Sequence, residues 1–262
     1  MLRCRRTEAY LSALGDIAQS HIRGKAVLDV GCGSGVLAMA CARLGARAVY
    51  AVEASEMAMY ARQIVKDNGL DSIVKVHHCS AEELSLPEEV DIVVSEWMGS
   101  FLLYERMLPA VLLARDKWLK RGSGMMFPSR ARLWIAPYRD DGIWDDISEF
   151  WASPIHGFDM SAMLPLAKAE RTDKPLITLA AAENVMAGAT LLVDIDLVTV
   201  TYPGPAARGA PLVGSFSVKT HVATDAFVGF VGWFDTQFYP DGPWLDTSPY
   251  KPPTHWQQVK HQ

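Results

Sequence analysis

A glycine-rich loop near the N-terminus limits the folds open to this chain more than any other feature of its sequence. The loop, Gly31-Cys-Gly-Ser-Gly35, follows an apolar run at residues 26–30 and precedes an alanine-rich stretch at residues 36–44. The apolar run predicts a buried strand, and the alanine-rich stretch predicts a helix that ends near Gly45. Glycines at such a junction let a ligand approach the backbone at a helix start, where N–H groups lack partners. The loop therefore predicts a ligand-binding α/β fold.

Strand-like and helix-like segments continue to alternate through the first half of the chain. Further strands are predicted at residues 49–52, 73–76 and 91–94, and further helices at residues 56–67 and 103–119. Ser55 is the predicted N-cap of the first of these two helices. Alternation of this kind indicates a doubly wound parallel sheet.

The second half of the chain has a different pattern. Strand-like stretches at residues 133–136, 191–201, 214–220 and 227–238 are separated by joints rich in glycine and proline. This pattern predicts antiparallel β structure, as a barrel or a sandwich. Residues 145–170, rich in aromatic residues and methionine, are predicted to be mostly helical. We place the boundary at Phe127-Pro128, which divides the chain into domains of residues 1–128 and 129–262.

Composition excludes several classes of protein. Of the 262 residues, 50% are hydrophobic and 21% are charged, which is enough apolar material to build a core. The net charge of −5 and the lack of a basic tract argue against direct nucleic-acid binding. No apolar run reaches the roughly 18 residues of a membrane span. The four cysteines form no CxxC pair and no metal-ligand spacing, so we expect a reduced, intracellular setting and no metal.

Two details of the glycine loop narrow the choice of cofactor. Its spacing is GxGxG, whereas many dinucleotide-binding loops have GxGxxG. Glu53 ends the next strand, where its carboxylate could accept both ribose hydroxyls of an adenosine. Together with Asp29 inside the motif, these features favour S-adenosylmethionine (SAM), with a nicotinamide cofactor as the alternative. Glu82, after the third strand, is either an adenine contact or a surface acid.

A pair of glutamates follows the fourth strand. Glu96 and Glu105 are nine positions apart with Gly99 between them, so a closed loop would bring the two carboxylates together. A guanidinium fits between two such carboxylates because its planar fork bonds them bidentately. We expect Met98 and Tyr104 to wall the slot. The alternative is a helix-starting loop with one capping residue and one exposed acid.

These segments carry a resemblance to a known family. Ser95-Glu-Trp-Met-Gly99, followed by Leu-Tyr-Glu105, closely resembles the "double-E" loop of protein arginine N-methyltransferases. Four more segments resemble motifs of that family: RTEAY at 6–10, ARDKWL at 114–119, GFDMS at 157–161 and THW at 254–256.

The resemblance implies a SAM-binding Rossmann-like domain, an antiparallel β-barrel-type domain that is incomplete here, and a helical dimerisation arm at about residues 142–172. It implies methyl transfer to arginine in proteins, with Gly/Arg-rich or histone-tail substrates and, as in type I members, mono- and asymmetric dimethylarginine as products. Homodimers or heterodimers are expected through the 157–161 region. Glu96, Glu105 and His255 are the implied catalytic residues, and Met98, Tyr104 and Trp256 line the substrate side. The implied cofactor residues are Arg6, Asp29, Gly31, Cys32, Gly33, Glu53, Ala54 and Glu82.

The sequence also departs from the family pattern. It begins almost at the RTxxY motif, so the family's N-terminal lid helix is expected to be missing. It ends six residues after Trp256, which suggests a fragment or a short variant. Arg3 stands where the family usually has an aspartate paired with the THW histidine. An inactive relative that regulates an active paralogue by heterodimerisation is therefore an alternative, and a small-molecule methyltransferase is a third. The cytoplasm and the nucleus are both open as locations.

Overall fold

Two β-sheets of opposite kind organise the chain. The computed structural model describes residues 2–139, 149–201, 217 and 229–261. A parallel sheet with its helices occupies the first half, and an antiparallel sheet occupies the second. Within the described ranges, no helix is long and apolar enough to cross a membrane.

The first sheet has five parallel strands in the order β3-β2-β1-β4-β5. Its strands are β1 (Ala26–Val30), β2 (Ala48–Glu53), β3 (Val74–His78), β4 (Ile92–Val94) and β5 (Met125–Phe127). Its helices are α1 (Leu2–Asp16), α2 (Val36–Arg43), α3 (Met57–Asp67) and α4 (Leu108–Trp118). All of β1 is buried, as expected of a central parallel strand covered on both faces. The strand order reverses beside β1, which places a ligand crevice at the carboxyl ends of β1 and β4.

The second sheet has the strand order β7-β11-β9-β6-β8, and β10 also pairs with β9. Its strands are β6 (Arg130–Tyr138), β7 (Leu176–Thr178), β8 (Thr190–Asp196), β9 (Gly229–Gln237), β10 (Trp244–Asp246) and β11 (Gln258–His261). Every pairing among these strands is antiparallel, which confirms the predicted antiparallel domain. Helix α5 (Leu164–Asp173) precedes β7.

Helix α1 packs against both halves of the chain. The ring of Tyr10 packs edge-on against Phe127, at the end of β5, and against Phe238, just after β9, with centroid separations of 5.8 and 4.9 Å. A second connection comes from Arg115 of α4, whose Nη1 donates to the carbonyl of Leu197 at 2.7 Å. The crevice at the sheet edge is therefore bordered by residues from both halves.

Most predicted elements are present, but their limits differ. The helix predicted at 103–119 begins only at Leu108, so this prediction was wrong for its first turn. Pro109 gives the reason, because inside a longer helix its ring would clash with the carbonyl four residues earlier. The strand predicted at 191–201 ends at Asp196, whose Oδ1 accepts the amide of Val198 at 2.9 Å and turns the chain. Strand β5 and helix α1 were not predicted.

Other predictions fall partly outside the described residues. The arm predicted to be helical contains a helical turn at 149–152, a short 3₁₀ turn at Ser161–Met163 and helix α5. Its part at residues 145–148 lies outside the described ranges, as does the strand predicted at 214–220 except for residue 217. The predicted N-cap was wrong by one position, because the residue at the cap of α3 is Glu56, without a side-chain capping bond. Ser55 Oγ nevertheless accepts the amide of Met57, the first residue of α3, at 3.3 Å.

Candidate active site

The glycine loop connects β1 to α2 at the carboxyl edge of the parallel sheet. Gly31, Gly33 and Gly35 all have positive φ angles, of 72°, 53° and 82°. Side chains are strained in this region of φ, so the loop depends on glycine. The amides of Gly31 and Cys32 donate to the carbonyl of Val52, at 2.9 and 3.0 Å, and tie the loop to β2.

Glu53 lies beside this loop, as the sequence predicted. Its Oε2 accepts the amide of Gly33 at 2.9 Å, and its Oε1 accepts the amide and the hydroxyl of Ser55 at 2.9 and 2.7 Å. Burial alone would raise the pKa of Glu53, but these hydrogen bonds together lower it below its ordinary value. The carboxylate is therefore ionised at the mouth of the loop, in the form that would accept ribose hydroxyls.

Asp29 is the buried acid of the site, only 1% exposed. Its Oδ2 accepts the amide of Ala38 at 3.0 Å, in the first turn of α2, while Oδ1 has no hydrogen-bond partner in the described structure. Burial raises the pKa of Asp29 to about 7, against the opposing effect of the Ala38 amide. A buried acceptor without a partner suits a site that takes a polar ligand.

The remaining predicted cofactor residues have different surroundings. Cys32 is buried, and burial raises the pKa of its thiol. Ala54 is exposed directly after Glu53, and Glu82 is exposed on the loop that follows β3. The glycine loop, the orphaned oxygen of Asp29 and the ionised Glu53 together fit an adenosyl cofactor.

The double-E loop starts from β4. The hydroxyl of Ser95 donates to the carbonyl of Val30 at 2.7 Å, and Tyr10 Oη donates to the carbonyl of Ser95 at 3.1 Å. Glu96 follows directly and faces α1. The loop then turns at Gly99, where an added Cβ would lie 2.5 Å from Cγ of Glu105 and 2.8 Å from its backbone nitrogen. The absence of a side chain at Gly99 is what lets Glu105 return toward Glu96.

Glu96 already holds an arginine in this structure. Arg6 Nη1 donates to Glu96 Oε2 at 2.6 Å and lies 3.3 Å from His255 Nε2. The Arg6 guanidinium also lies over the ring of Trp256, with 5.8 Å between its Cζ and the ring centroid. The fold thus brings together residues from the first helix, the double-E loop and the THW segment. The predicted contact of Arg6 with the cofactor stays a prediction.

Burial raises the pKa of Glu96 to about 7. The charge of Arg6 opposes this rise, and the nearby carboxylate of Glu105 adds to it. The influence of Glu105 agrees with the predicted convergence of the two acids. A cation between them would favour the ionised form of Glu96.

The residues predicted to line the substrate side divide into two groups. Met98 and Trp256 are buried, and Trp256 Nε1 donates to the carbonyl of Met98 at 2.7 Å. Tyr104 is 77% exposed on the outer side of the loop. Substrate contact stays a prediction for all three. The side chain of Arg3, where the sequence departs from the family, lies outside the described part.

The structure adds site residues that sequence reasoning did not assign. Tyr10 and Ser95 anchor the start of the double-E loop, and Met107 lies over the glycine loop. A Cβ on Gly31 would lie 2.5 Å from Cε of Met107. All three residues stand inside or beside the quoted motifs, which was the signal that could have identified them. Within the described ranges, no group of three or more His, Cys, Asp or Glu residues is arranged to hold a metal ion.

Comparison with known proteins agrees with this geometry. Residues 129–260 match the family model described as the arginine methyltransferase oligomerization subdomain. Residues 6–112 match the model of ribosomal protein L11 methyltransferase.

Curated relatives are similar over nearly the whole chain. The probable protein arginine N-methyltransferase 6.1 of Oryza sativa subsp. japonica is 41% identical, over 97% of this chain and 70% of its own length. Protein arginine N-methyltransferase 6 of Xenopus tropicalis is also 41% identical, over 97% of this chain and 74% of its own.

Solved structures show the same likeness. The Trypanosoma brucei PRMT1 enzyme-prozyme heterotetrameric complex with AdoHcy has a TM-score of 0.82 at 35% identity, covering 98% of this chain and 78% of that one. Arabidopsis thaliana protein arginine methyltransferase 10 has a TM-score of 0.80 at 35% identity, covering 97% and 78%. Sequence and fold agree along both halves of the molecule, and the chain belongs to the protein arginine N-methyltransferase family.

Proposed function

We propose that this SAM-dependent arginine methyltransferase uses Glu96 and Glu105 as the pair that binds the substrate guanidinium, and that it forms mono- and asymmetric dimethylarginine. The observation that carries the proposal is the ion pair of Arg6 with Glu96 at 2.6 Å, beside Glu105. This ion pair supports the proposal, because the carboxylate of Glu96 already bonds a guanidinium, that of the chain's own Arg6, which a substrate arginine would displace. The product state rests on the resemblance of the THW segment to type I enzymes.

The cofactor supplies an electrophilic methyl group when it is bound. Residues 31–35, Asp29 and Glu53 would hold it at the carboxyl edge of the parallel sheet. The chain's remaining task is to bind and orient the acceptor. A guanidinium has a pKa above 12 and arrives protonated, so positioning and electrostatics supply most of the catalysis.

The two carboxylates would draw the positive charge toward the nitrogens that they bond, which leaves the remaining terminal nitrogen more nucleophilic. One proton must leave the guanidinium as the new N–C bond forms. A carboxylate oxygen of Glu96 is the proposed acceptor, because it would lie within hydrogen-bond reach of the guanidinium that it binds.

Transfer of labelled methyl from SAM into an arginine-rich peptide tests the reaction, with a lysine-substituted peptide as the control. Glu105→Gln is expected to reduce turnover by about a hundredfold or more while SAM binding persists. The change removes one of the two negative charges proposed to bind the substrate guanidinium. Glu89→Gln, on an exposed glutamate elsewhere in the same half, is the matched control and should retain activity. Absence of label with SAM binding intact would contradict the proposal and favour a regulatory relative.

We further propose that the active form is a dimer, in which the arm of one copy docks on the outer face of the other copy's parallel-sheet domain. The arm exposes Phe150, Phe158 and Leu166, with Phe158 71% exposed. The receiving surface is an apolar groove of about 310 Å³ between α1, α2 and α3. The groove is lined by Leu11, Val36, Met39, Ala40, Arg43, Leu44 and Asn68. The match of residues 129–260 to an oligomerization subdomain supports the same arrangement.

Gly/Arg-rich or histone-tail segments are the proposed substrates, and the cytoplasm or nucleus is the proposed location. The substrates rest on the resemblance of the motifs, and the location rests on the cysteine pattern, which indicates a reduced, intracellular setting.

A further inference from the structure

The turn that carries Glu105 contains three non-glycine residues in the left-handed region of backbone space. Phe101, Leu102 and Arg106 have φ angles of 54°, 63° and 58°. Such conformations are unfavourable for residues with a Cβ, and they persist only where the surrounding structure holds them. The contacts that hold this turn therefore bear on where Glu105 lies.

Backbone bonds and burial hold the inner side of the turn. The amide of Gly99 donates to the carbonyl of Leu102 at 3.0 Å, and the amide of Leu102 donates back to Gly99 at 2.9 Å. The side chain of Leu102 is fully buried. The same Gly99 packs against Glu105, so any movement of the turn reaches that carboxylate.

The outer side of the turn is held by the antiparallel sheet. The ring of Phe101 lies directly against the backbone of Gly232, so closely that a Cβ there would lie 2.8 Å from Cδ2 of the ring. Gly232 lies in the middle of β9, paired with Ile135 of β6 and Val259 of β11, so it cannot move away easily. The space that glycine leaves in β9 is filled by the Phe101 ring.

The segments before the two glutamates have different neighbours. Ser95, next to Glu96, donates its hydroxyl to the carbonyl of Val30 and its amide to the carbonyl of Phe127, both in the parallel sheet. The turn before Glu105 instead packs on Gly232 of the antiparallel sheet.

We propose that Phe101 and Gly232 are positioning residues, and that packing of the Phe101 ring on the Gly232 backbone places Glu105 at its working distance from Glu96. This inference rests on the proposed function, in which both carboxylates bind the substrate guanidinium. Both would act through the turn that carries Glu105.

Gly232→Ala tests the contact directly. The new methyl displaces the ring, and kcat should fall by about tenfold to a hundredfold, because small misplacements of a catalytic group are costly. SAM affinity, measured by calorimetry, should stay close to that of the wild type, since the glycine loop is tied to the other sheet. Gly188→Ala is the matched control, because an added Cβ there meets nothing within 4 Å.

Two further variants keep the test decisive. Phe101→Ala removes the ring without adding bulk, and it should lower kcat in the same way while SAM affinity is retained. Phe101→Leu combined with Gly232→Ala relieves the overlap, and it should recover part of the activity lost in Gly232→Ala alone. A kcat for Gly232→Ala equal to that of Gly188→Ala, or a parallel loss of SAM affinity, would overturn the inference.

Affinity for an arginine peptide in the presence of S-adenosylhomocysteine separates this inference from the proposed function. If the wild type transfers no methyl but binds the peptide, and Gly232→Ala weakens that binding relative to Gly188→Ala, only the proposed function fails. If the wild type neither transfers methyl nor binds the peptide, both fail.

Discussion

Three influences act on the carboxylate of Glu96: burial, the bound guanidinium of Arg6 and the neighbouring acid Glu105. Its pKa of about 7 means that an appreciable fraction is protonated just below neutral pH. A protonated Glu96 cannot pair with a guanidinium cation. At saturating SAM, kcat/KM for an arginine peptide should therefore fall about tenfold per pH unit below pH 7.

The value of kcat should depend less on pH than kcat/KM, because a bound guanidinium lowers the pKa of Glu96 in the complex. Initial rates from pH 5.5 to 9 at several peptide concentrations measure both quantities. A kcat/KM that stays level down to pH 5.5 would show that Glu96 does not govern substrate binding.

At the scale of elements, Asp29 links β1 to α2 through its bond to the Ala38 amide. Its pKa of about 7 lies above the value near 3.9 of an unfolded aspartate. A raised carboxyl pKa stabilises the fold at low pH, and this contribution is lost as pH rises through 7. Relative to Asp29→Asn, the wild type should lose up to about 1.4 kcal/mol of unfolding free energy per pH unit between pH 5 and 7.

Urea unfolding of both proteins at pH 5 and pH 8 measures the difference in unfolding free energy between them. The contributions of the other titrating groups are common to both proteins and cancel in this difference. An equal difference between the two proteins at both pH values would mean that Asp29 keeps an ordinary pKa in the folded state.

At the scale of the whole molecule, the arm and the groove lie on the same chain. In a two-fold dimer, the arm of each copy could therefore pack in the groove of the other. Phe158→Ala should weaken the dimer by about tenfold or more, because the change removes a large apolar side chain from the interface. Met39→Ala, on the groove side, should act in the same direction. Sedimentation across a concentration series measures the dissociation constant.

Leu179→Ala is the control for dimerisation, since Leu179 is an exposed apolar residue outside both the arm and the groove. If it weakens the dimer as much as Phe158→Ala does, or if neither proposed variant changes association, the docking of the arm in the groove is wrong.

Local patterns predicted most elements of the parallel sheet, because each depends on neighbours in sequence. The glycine loop, the strand before it and the helix after it lie where the sequence placed them. The predicted start of the helix at residue 103 was wrong, although Pro109 indicated a later start. Strand β5, of three residues, was not predicted.

The long-range contacts of the site were beyond local patterns. Arg6 and Glu96 are 90 positions apart, and no local pattern predicted the contact between them. The contact of Phe101 with Gly232 joins two sheets and has no signature in either segment.

The sequence by itself determined which chemical groups are present. They are the glycine loop, two glutamates nine positions apart with a glycine between them, and the arginine, histidine and tryptophan of the RTEAY and THW segments. These features follow from residue type and short spacing, because local backbone geometry alone decides how residues close in sequence are arranged. Only the tertiary structure decided that Arg6 meets Glu96, that Asp29 and Glu96 have raised pKa values, and that the turn before Glu105 packs on the other sheet. The reason is physical: desolvation and charge pairing depend on what surrounds a group in space, and distant parts of the chain supply those surroundings.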